Sequence, residues 1–501
     1  MRKQTKLLLA AVYGTLALLL LGVLPLYQSR VLADETKAGA TRAEAKVIGL
    51  GETYSETTVD KNDTDFFRFT TTEHGYFQVQ LGQNAADSQK VRAGWDMKVL
   101  DEDGKELTAE SGIKEKWTSI VLPYAEPGRV FYVQVTPVSW GVPKDCTYDI
   151  TVSQTATEEW EAEPNETQAA ATVIEPDKTY HGITVGDKDT DMFRFTTTKQ
   201  GYFQVQLGRN AADGNDIRAG WEVKVLDENG VDLTTVTGVK ENWTSVILPY
   251  AEPGRTFYLQ VAPVSWGIPK HCVYDVTISQ TEATDWEAEP NGTKETATTI
   301  RAGQTYQGIT MAREDEDYYK LAVSAAGKLK VELRPSDTNL SDSIHAGWDI
   351  FVYDKDLKEV TKRNGVKTAD SVSFNVKKGT YYILVKGVSW SSPVKCRYEL
   401  STTYAKKPAK TTISSVKASG KTATIAWNKV PDATGYVIYR STSKNSGYKK
   451  VKTITKNATT AWKNTGLKSG KTYYYKVAAY KKTGGVTSAS GYSAVKSVTV
   501  K

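Results

Sequence analysis

Gly75-Tyr-Phe-Gln-Val-Gln-Leu81 recurs unchanged as Gly201-Tyr-Phe-Gln-Val-Gln-Leu207, with Phe, Val and Leu at alternate positions and Gln between them. Alternation of period two marks a strand with one buried face, because successive side chains leave a pleated backbone on opposite sides. Identity over seven residues also announces tandem repetition. Outward from this stretch the repeat extends in both directions. Ala93-Gly-Trp95 returns as Ala219-Gly-Trp221 and Ala346-Gly-Trp348, 126 and then 127 residues later, and Val138-Ser-Trp140 returns as Val264-Ser-Trp266 and Val388-Ser-Trp390. Three copies of one module are present, the first two near duplicates and the third diverged.

Within copy one the same alternation places Phe67 and Phe69, then Trp95, Met97 and Val99, then Phe131, Val133 and Val135, then Tyr148, Ile150 and Val152 on buried faces. Turn residues separate these runs, as in Asp101-Glu-Asp-Gly104 and Glu126-Pro-Gly128. Short strands with such punctuation and no helical pattern predict an all-β protein in which each copy is one antiparallel sandwich of a little over a hundred residues. The expected boundaries are 46–155, 158–281 and 284–404, preceded by a spacer over 34–45. A chain of 501 residues is long enough to give each unit its own core.

Glu163-Pro-Asn165, Gly182, Asp189-Thr-Asp191-Met-Phe-Arg-Phe195 and, in copy three, Lys378-Gly-Thr-Tyr-Tyr-Ile-Leu-Val385 resemble the bacterial pre-peptidase C-terminal domain. The resemblance implies a jelly-roll-like sandwich of the kind appended to exported enzymes, related to the collagen-binding domains of clostridial collagenases. After Tyr404 a short basic linker leads to Trp427, Gly435-Tyr-Val-Ile-Tyr-Arg440 and Leu467-Lys-Ser-Gly-Lys-Thr-Tyr473, which resembles an immunoglobulin-like fibronectin type III domain over 408–501. That resemblance makes Tyr473 the tyrosine corner and puts Tyr475, Val477 and Ala479 on one face of the next strand. There is no Arg-Gly-Asp tripeptide to support integrin-type adhesion.

The amino terminus carries Met1-Arg-Lys-Gln-Thr-Lys6, an apolar run from Leu7 to about Tyr27, and Val31-Leu32-Ala33. This is the pattern of a secretory signal over 1–33, cut after Ala33, with an uncut membrane anchor as the alternative. The expected location is outside a bacterial cell of Gram-positive type, secreted or surface-associated, with no membrane span once the signal is removed.

The seams between copies read Trp160-Glu-Ala-Glu-Pro-Asn165 and Trp286-Glu-Ala-Glu-Pro-Asn291. Glu161, Glu163 and Asn165 alternate, so in an extended segment their oxygens emerge on one side, and a second acidic run, Asp187-Lys-Asp189-Thr-Asp191, follows at a predicted turn. Clustered oxygens of this kind suit calcium, which takes six to eight such ligands. The collagenase resemblance implies calcium held between linker and loop. The candidate ligands are Glu161, Glu163, Asn165 and Asp189 with Asp187 and Asp191 beside them, and Glu287, Glu289, Asn291 and Asp315 with Glu314 and Asp317. The alternative is purely local: Glu-Pro-Asn as a turn and Asp-x-Asp as an Asx-turn cap. In copy one, Lys37 and Gly39 stand where Glu163 and Asn165 stand in copy two, so only Glu35 and the Asp63 and Asp65 turn remain and no complete site is expected there.

Trp117, Trp140, Trp243, Trp266 and Trp390 lie in turns or before strands, and they are candidate contacts for polysaccharide or protein, or else seals for the sandwich ends. Trp95, Trp221 and Trp348 alternate with core positions and are read as structural. Cys146, Cys272 and Cys396 come one per copy, so no disulfide can close within a copy, and buried thiols are expected. With 3 Cys and 4 His in the chain there is little material for zinc or imidazole chemistry, and neither His-Glu-x-x-His nor Gly-x-Ser-x-Gly occurs. From Lys406 onward twenty basic residues face the single acid Asp432, so the terminal domain is strongly basic and the rest is net acidic. An anionic cell-wall polymer is the expected partner of that basic end; nucleic acid is not, because no recognition motif accompanies the charge. The reading as a whole is an exported, non-enzymatic, multivalent binding or adhesion protein for extracellular protein or polysaccharide. The alternatives are a calcium-stiffened surface spacer, or accessory domains serving a secreted hydrolase whose active site is unrecognised.

Overall fold

The computed structural model describes residues 37–501 apart from 88–90, 115–117, 142–143, 187, 211–218, 246, 251, 265–270, 337–345 and 389–394. The signal segment, Asp187, Trp117, Trp266 and Trp390 therefore lie outside the described residues.

Each copy is a sandwich of two sheets. In copy one a five-stranded sheet runs in the order Lys46–Val47, Asp65–Thr70, Val130–Pro137, Trp95–Leu100, Glu106–Ile113, over a four-stranded sheet ordered Thr53–Thr57, Thr147–Ala156, Gly75–Gln83, Thr118–Ala125. Copies two and three repeat this order. Pairing is antiparallel except at the first short strand, where Lys46–Val47, Thr172–Val173 and Thr298–Ile300 each lie parallel to their neighbour. Apart from the hairpin of Trp95–Leu100 with Glu106–Ile113, consecutive strands in sequence alternate between the sheets, which gives the jelly-roll-like character.

The alternation read from the sequence is the alternation of burial. Phe77, Val79 and Leu81 have no exposed surface, and neither do Phe203 and Val205 of the duplicate stretch. Trp95, Trp221 and Trp348 are fully buried, and each indole N–H donates to a threonine hydroxyl of the opposite sheet: Thr58 at 2.8 Å, Thr184 at 2.9 Å and Thr310 at 2.6 Å. A buried indole needs such a partner, and its truncation to Ala in a packed core costs about 3–5 kcal/mol. The three cysteines form no disulfide and are buried in the three cores.

One expectation is corrected. Residues 37–39, read as part of a spacer, lie against strand Asp65–Thr70: the Phe66 amide donates to the Gly39 carbonyl at 2.9 Å. In copies two and three the Met192 amide donates to Asn165 O at 3.2 Å and the Tyr318 amide to Asn291 O at 3.0 Å. The same strap thus runs across all three sandwiches, whether or not another repeat precedes it. Its chemistry changes between copies and its backbone course does not, which is why the sequence motif alone concealed it.

The terminal domain pairs Ile413–Ser419, Thr422–Trp427 and Ala461–Asn464 in one sheet. The other contains Lys449–Ile454, Gly435–Ser441, Thr472–Thr483 and Val486–Ala489, with Lys496–Thr499 on the Thr472–Thr483 strand. The Tyr473 hydroxyl accepts the Lys468 amide at 3.0 Å, as a tyrosine corner does, and Tyr475, Val477 and Ala479 are buried. Lys449, Lys450 and Lys452 are exposed or half-exposed positions of an edge strand, where charge blocks edge-to-edge pairing. No helix among the described residues is long and apolar enough to cross a membrane.

Candidate metal centre

The strap enters each of copies two and three by a short parallel bridge, Trp160 to His181 and Trp286 to Gln307. Beyond it the backbone leaves the sheet edge, and side chains take over the pairing. Glu161 supplies the missing partner: its carboxylate accepts the Ile183 amide at 2.6 Å, and its second oxygen accepts Asn165 Nδ2 at 3.3 Å. Glu287 does the same with Ile309 at 2.6 Å and Asn291 at 3.4 Å. Glu163 and Glu289 fold back onto the amides of Asn165 and Asn291, across Glu-Pro peptide bonds that are cis.

From the strand Asp191–Thr196 comes Asp191, and from the strand Cys272–Glu282 comes Tyr274, whose hydroxyl donates to Asp191. Tyr398 donates to Asp317 at 2.5 Å in copy three. A Cβ on Gly182 or Gly308 would run into the Tyr274 or Tyr398 ring, so the course those rings take in copies two and three needs glycine at that register position. One oxygen each from Glu161, Glu163 and Asp191 lie within 4.8 Å of one another, as do those of Glu287, Glu289 and Asp317. Glu161 is 1% exposed, Asp191 2% and Asp317 0%, so these are interior carboxylates.

Burial and mutual repulsion dominate their ionisation. Glu161 is held well above the ordinary carboxylate range by loss of solvent and then by the charges of Glu163 and Asp189. Glu163 and Glu289 are each pushed up to about 8, first by burial and then by Asp189 and Asp315. Asp191 and Asp317 are likewise held well above the ordinary range, by burial and then by the charge of Glu161 or Glu287. Glu163 Oε1, Asp191 Oδ1, Glu289 Oε1, Asp317 Oδ1 and Asn291 Oδ1 are buried with no hydrogen-bond donor. Buried anionic oxygens without donors require protons or a cation. The residues therefore fit a hard divalent ion of the kind that takes carboxylate oxygens. When bound, such an ion supplies the positive charge that the cluster lacks; the protein's own groups hold the oxygens in place.

Asp189 and Asp315 sit at the rim. Each caps its turn through the amide of Val185 (2.6 Å) or Met311 (2.5 Å), which is the Asx-turn reading, while also adding charge to the cluster. Burial raises Asp189 to about 6 and Asp315 in the same direction. Glu314 is corrected: its side chain is exposed, because the neighbour of a rim residue points the other way. Asp187 lies outside the described residues.

Sequence reasoning missed five contributors. Tyr274 and Tyr398 are two, signalled by the Cys-x-Tyr spacing that all three copies share. Tyr319 is another: it replaces Phe193, and its hydroxyl donates to Glu287 at 2.8 Å. The last two are clamps from the preceding sandwich. Arg129 Nη1 donates to the Glu163 carbonyl at 3.1 Å, and Arg255 Nη1 donates to the Glu289 carbonyl at 2.5 Å. Across the same joints Trp160 packs on Tyr76 with ring centroids 4.5 Å apart, and Trp286 packs on Tyr202 at 5.1 Å.

Among the ligand-contact candidates, Trp140 is 77% exposed, whereas Trp243 is partly buried on the core of sandwich two. The described histidines stand apart from one another, His74 beside Glu126, His181 on Asp275 and His271 against Thr108.

No family model and no curated protein matches the sequence. Among solved structures the chain is similar to the pre-peptidase C-terminal domain of collagenase from Bacillus anthracis, at 18% identity over 21% of this chain and 94% of that one, with a TM-score of 0.18. It is similar to an Fn3-like protein from Clostridium thermocellum, at 30% identity over 19% of this chain and 88% of that one, TM-score 0.15. A two-domain fibronectin type III segment of chicken tenascin matches at 16% identity over 37% of this chain and 98% of that one, TM-score 0.17. Both families that the residues resemble, the pre-peptidase C-terminal domain and fibronectin type III, recur among these structures, and the chain joins domains similar to each.

Proposed function

We propose that this protein is an exported, non-enzymatic, multivalent binding module whose repeats engage extracellular protein or polysaccharide, with calcium holding the two inter-repeat joints. The observation that carries the reading is the repeated cluster of buried, donor-less carboxylates on a strap that the preceding sandwich also grips through Arg129 or Arg255. A cation there fastens the strap to the following sandwich and so fixes one repeat against the next. Fixed spacing between identical modules is what turns weak single contacts into avidity. Trp140, exposed in its turn, is the side chain best placed to contact a ligand in copy one. The basic terminal domain would draw the molecule toward an anionic wall polymer.

The test is pull-down of the full chain on fibrillar collagen, insoluble glycans and purified cell wall, each with calcium and with chelator. Calcium-dependent retention on one matrix, weakened by Trp140→Ala, supports the reading; retention on none of them overturns it.

A further inference from the structure

The strap of copy one reaches the same place with Lys37 and Gly39 where the others have a glutamate and an asparagine, while Glu35, at the Glu161 position, lies outside the described residues. Lys37 occupies the Glu163 position, and its ammonium meets Asp63 Oδ1 at 3.0 Å, Asp63 being the counterpart of Asp189. Asp65, counterpart of Asp191, keeps its tyrosine: the Tyr148 hydroxyl donates to it at 2.7 Å. A second exchange lies beside it. Where copies two and three have Gly182 and Gly308, copy one has Glu56, and where they have Thr172 and Thr298 it has Lys46. Lys46 Nζ and Glu56 Oε1 form a buried pair at 3.0 Å, the two side chains being 4% and 7% exposed.

Copy one thus sets Lys37 and Lys46 against Glu56, Asp63 and Asp65. In copies two and three, among the described residues, no lysine or arginine forms an ion pair with Glu161, Glu163, Asp189 or Asp191, nor with Glu287, Glu289, Asp315 or Asp317. Backbone course, aspartates and tyrosine are common to all three cradles. What differs is that copy one places lysines where the other two have a glutamate and a threonine.

We infer that the first cradle carries its cation covalently, as the Lys37 ammonium supported by Lys46, so that its strap closes without metal while the other two straps close on a divalent ion. The half of this statement that concerns copies two and three rests on the proposed function; the half that concerns Lys37 does not. An ammonium is a compact charge with three donors and no need of fixed coordination, so it can stand at a carboxylate rim that is half open to water, as Lys37 is at 50% exposure. A lysine placed at position 163 should therefore replace the ion in the second cradle.

The experiment is amide hydrogen exchange on the full chain, read at Phe66, Met192 and Tyr318, whose N–H groups hold the three straps, together with calcium stoichiometry by equilibrium dialysis. In the unaltered chain two ions should bind, and chelator should speed exchange at Met192 and Tyr318 by about tenfold or more, the worth of a charge-assisted contact, while leaving Phe66 unchanged. Lys37→Met should speed Phe66 equally in calcium and in chelator. Glu163→Lys should remove one ion and leave Met192 protected in chelator, whereas Glu163→Gln should remove the ion and the protection together. Phe66 exchange unaltered by Lys37→Met, or Met192 exchanging as fast in Glu163→Lys as in Glu163→Gln, overturns the inference. Chelator without effect at both Met192 and Tyr318 overturns the metal reading instead, and the Lys37→Met arm still decides the rest.

Discussion

The cradles of copies two and three share their acids and tyrosine, yet they are not the same site. Copy two has Phe193 behind the cluster and Glu166 near its mouth. Copy three has Tyr319, which donates to Glu287 and meets the Tyr398 hydroxyl at 2.7 Å, and Gly292 in place of Glu166. Glu166 adds repulsion at Glu163, while at Glu289 the Arg255 charge opposes it. The second cradle is therefore the more electron-rich, and the third is partly satisfied by its own hydroxyls. The difference teaches that help for these carboxylates is graded: a lysine on Asp63 in copy one, where Asp65 Oδ1 still lacks a donor, a second tyrosine hydroxyl on Glu287 in copy three, and neither in copy two.

The largest consequence is a pH effect. Glu163 and Glu289, raised from 4.5 to about 8, bind protons in the folded state that the unfolded chain has released. Stability from this source is therefore complete below about 4.5 and is lost as pH rises through about 8. In chelator the melting temperatures of sandwiches two and three should fall across that window, a change on the order of a few kcal/mol per cradle. Sandwich one should finish its smaller fall near the value of about 6 set by burial of Asp65. Differential scanning calorimetry from pH 4 to 9 would break the contrast if all three fell together.

Next comes the cation itself. At a free calcium concentration about a hundredfold above the dissociation constant, binding adds about 2.7 kcal/mol, roughly 10 °C for units of this size. Sandwiches two and three should rise and sandwich one should not, and Glu163→Ala with Glu289→Ala should abolish the rise. Tyr274→Phe removes the donor that orients Asp191, and isothermal titration should show about 10- to 100-fold weaker calcium binding at cradle two alone. Smallest is Tyr319→Phe, which strips one hydroxyl from cradle three. Its calcium affinity should tighten toward that of cradle two by about fivefold, the worth of one ordinary hydrogen bond; unchanged affinity would mean that the two sites differ for some other reason.

The sandwiches were legible because their information is local: alternation names the buried face of Gly75–Gln83, and the duplicate stretch repeats it. The acids of the strap were legible for the same reason, since Glu161, Glu163 and Asn165 follow one another along an extended segment. Tyr274 stands 113 residues from Glu161 and meets it only through strand pairing, so no spacing within the strap could point to it. Glu314 failed in the opposite sense, because sequence proximity to Asp315 places it on the outer side of the turn. Lys37 was read as the absence of a site, when opposite charge at a shared backbone position fills the same electrostatic need.

Glu163 is gripped at three points: its amide by the Pro123 carbonyl at 3.0 Å, its carbonyl by Arg129, and its carboxylate by the second cradle. A pull along the chain meets the second sandwich first at the bridge of Trp160 to His181 and then at this residue. Backbone and side chain there share the tension, so the joint yields only when contacts to both neighbouring modules give way together.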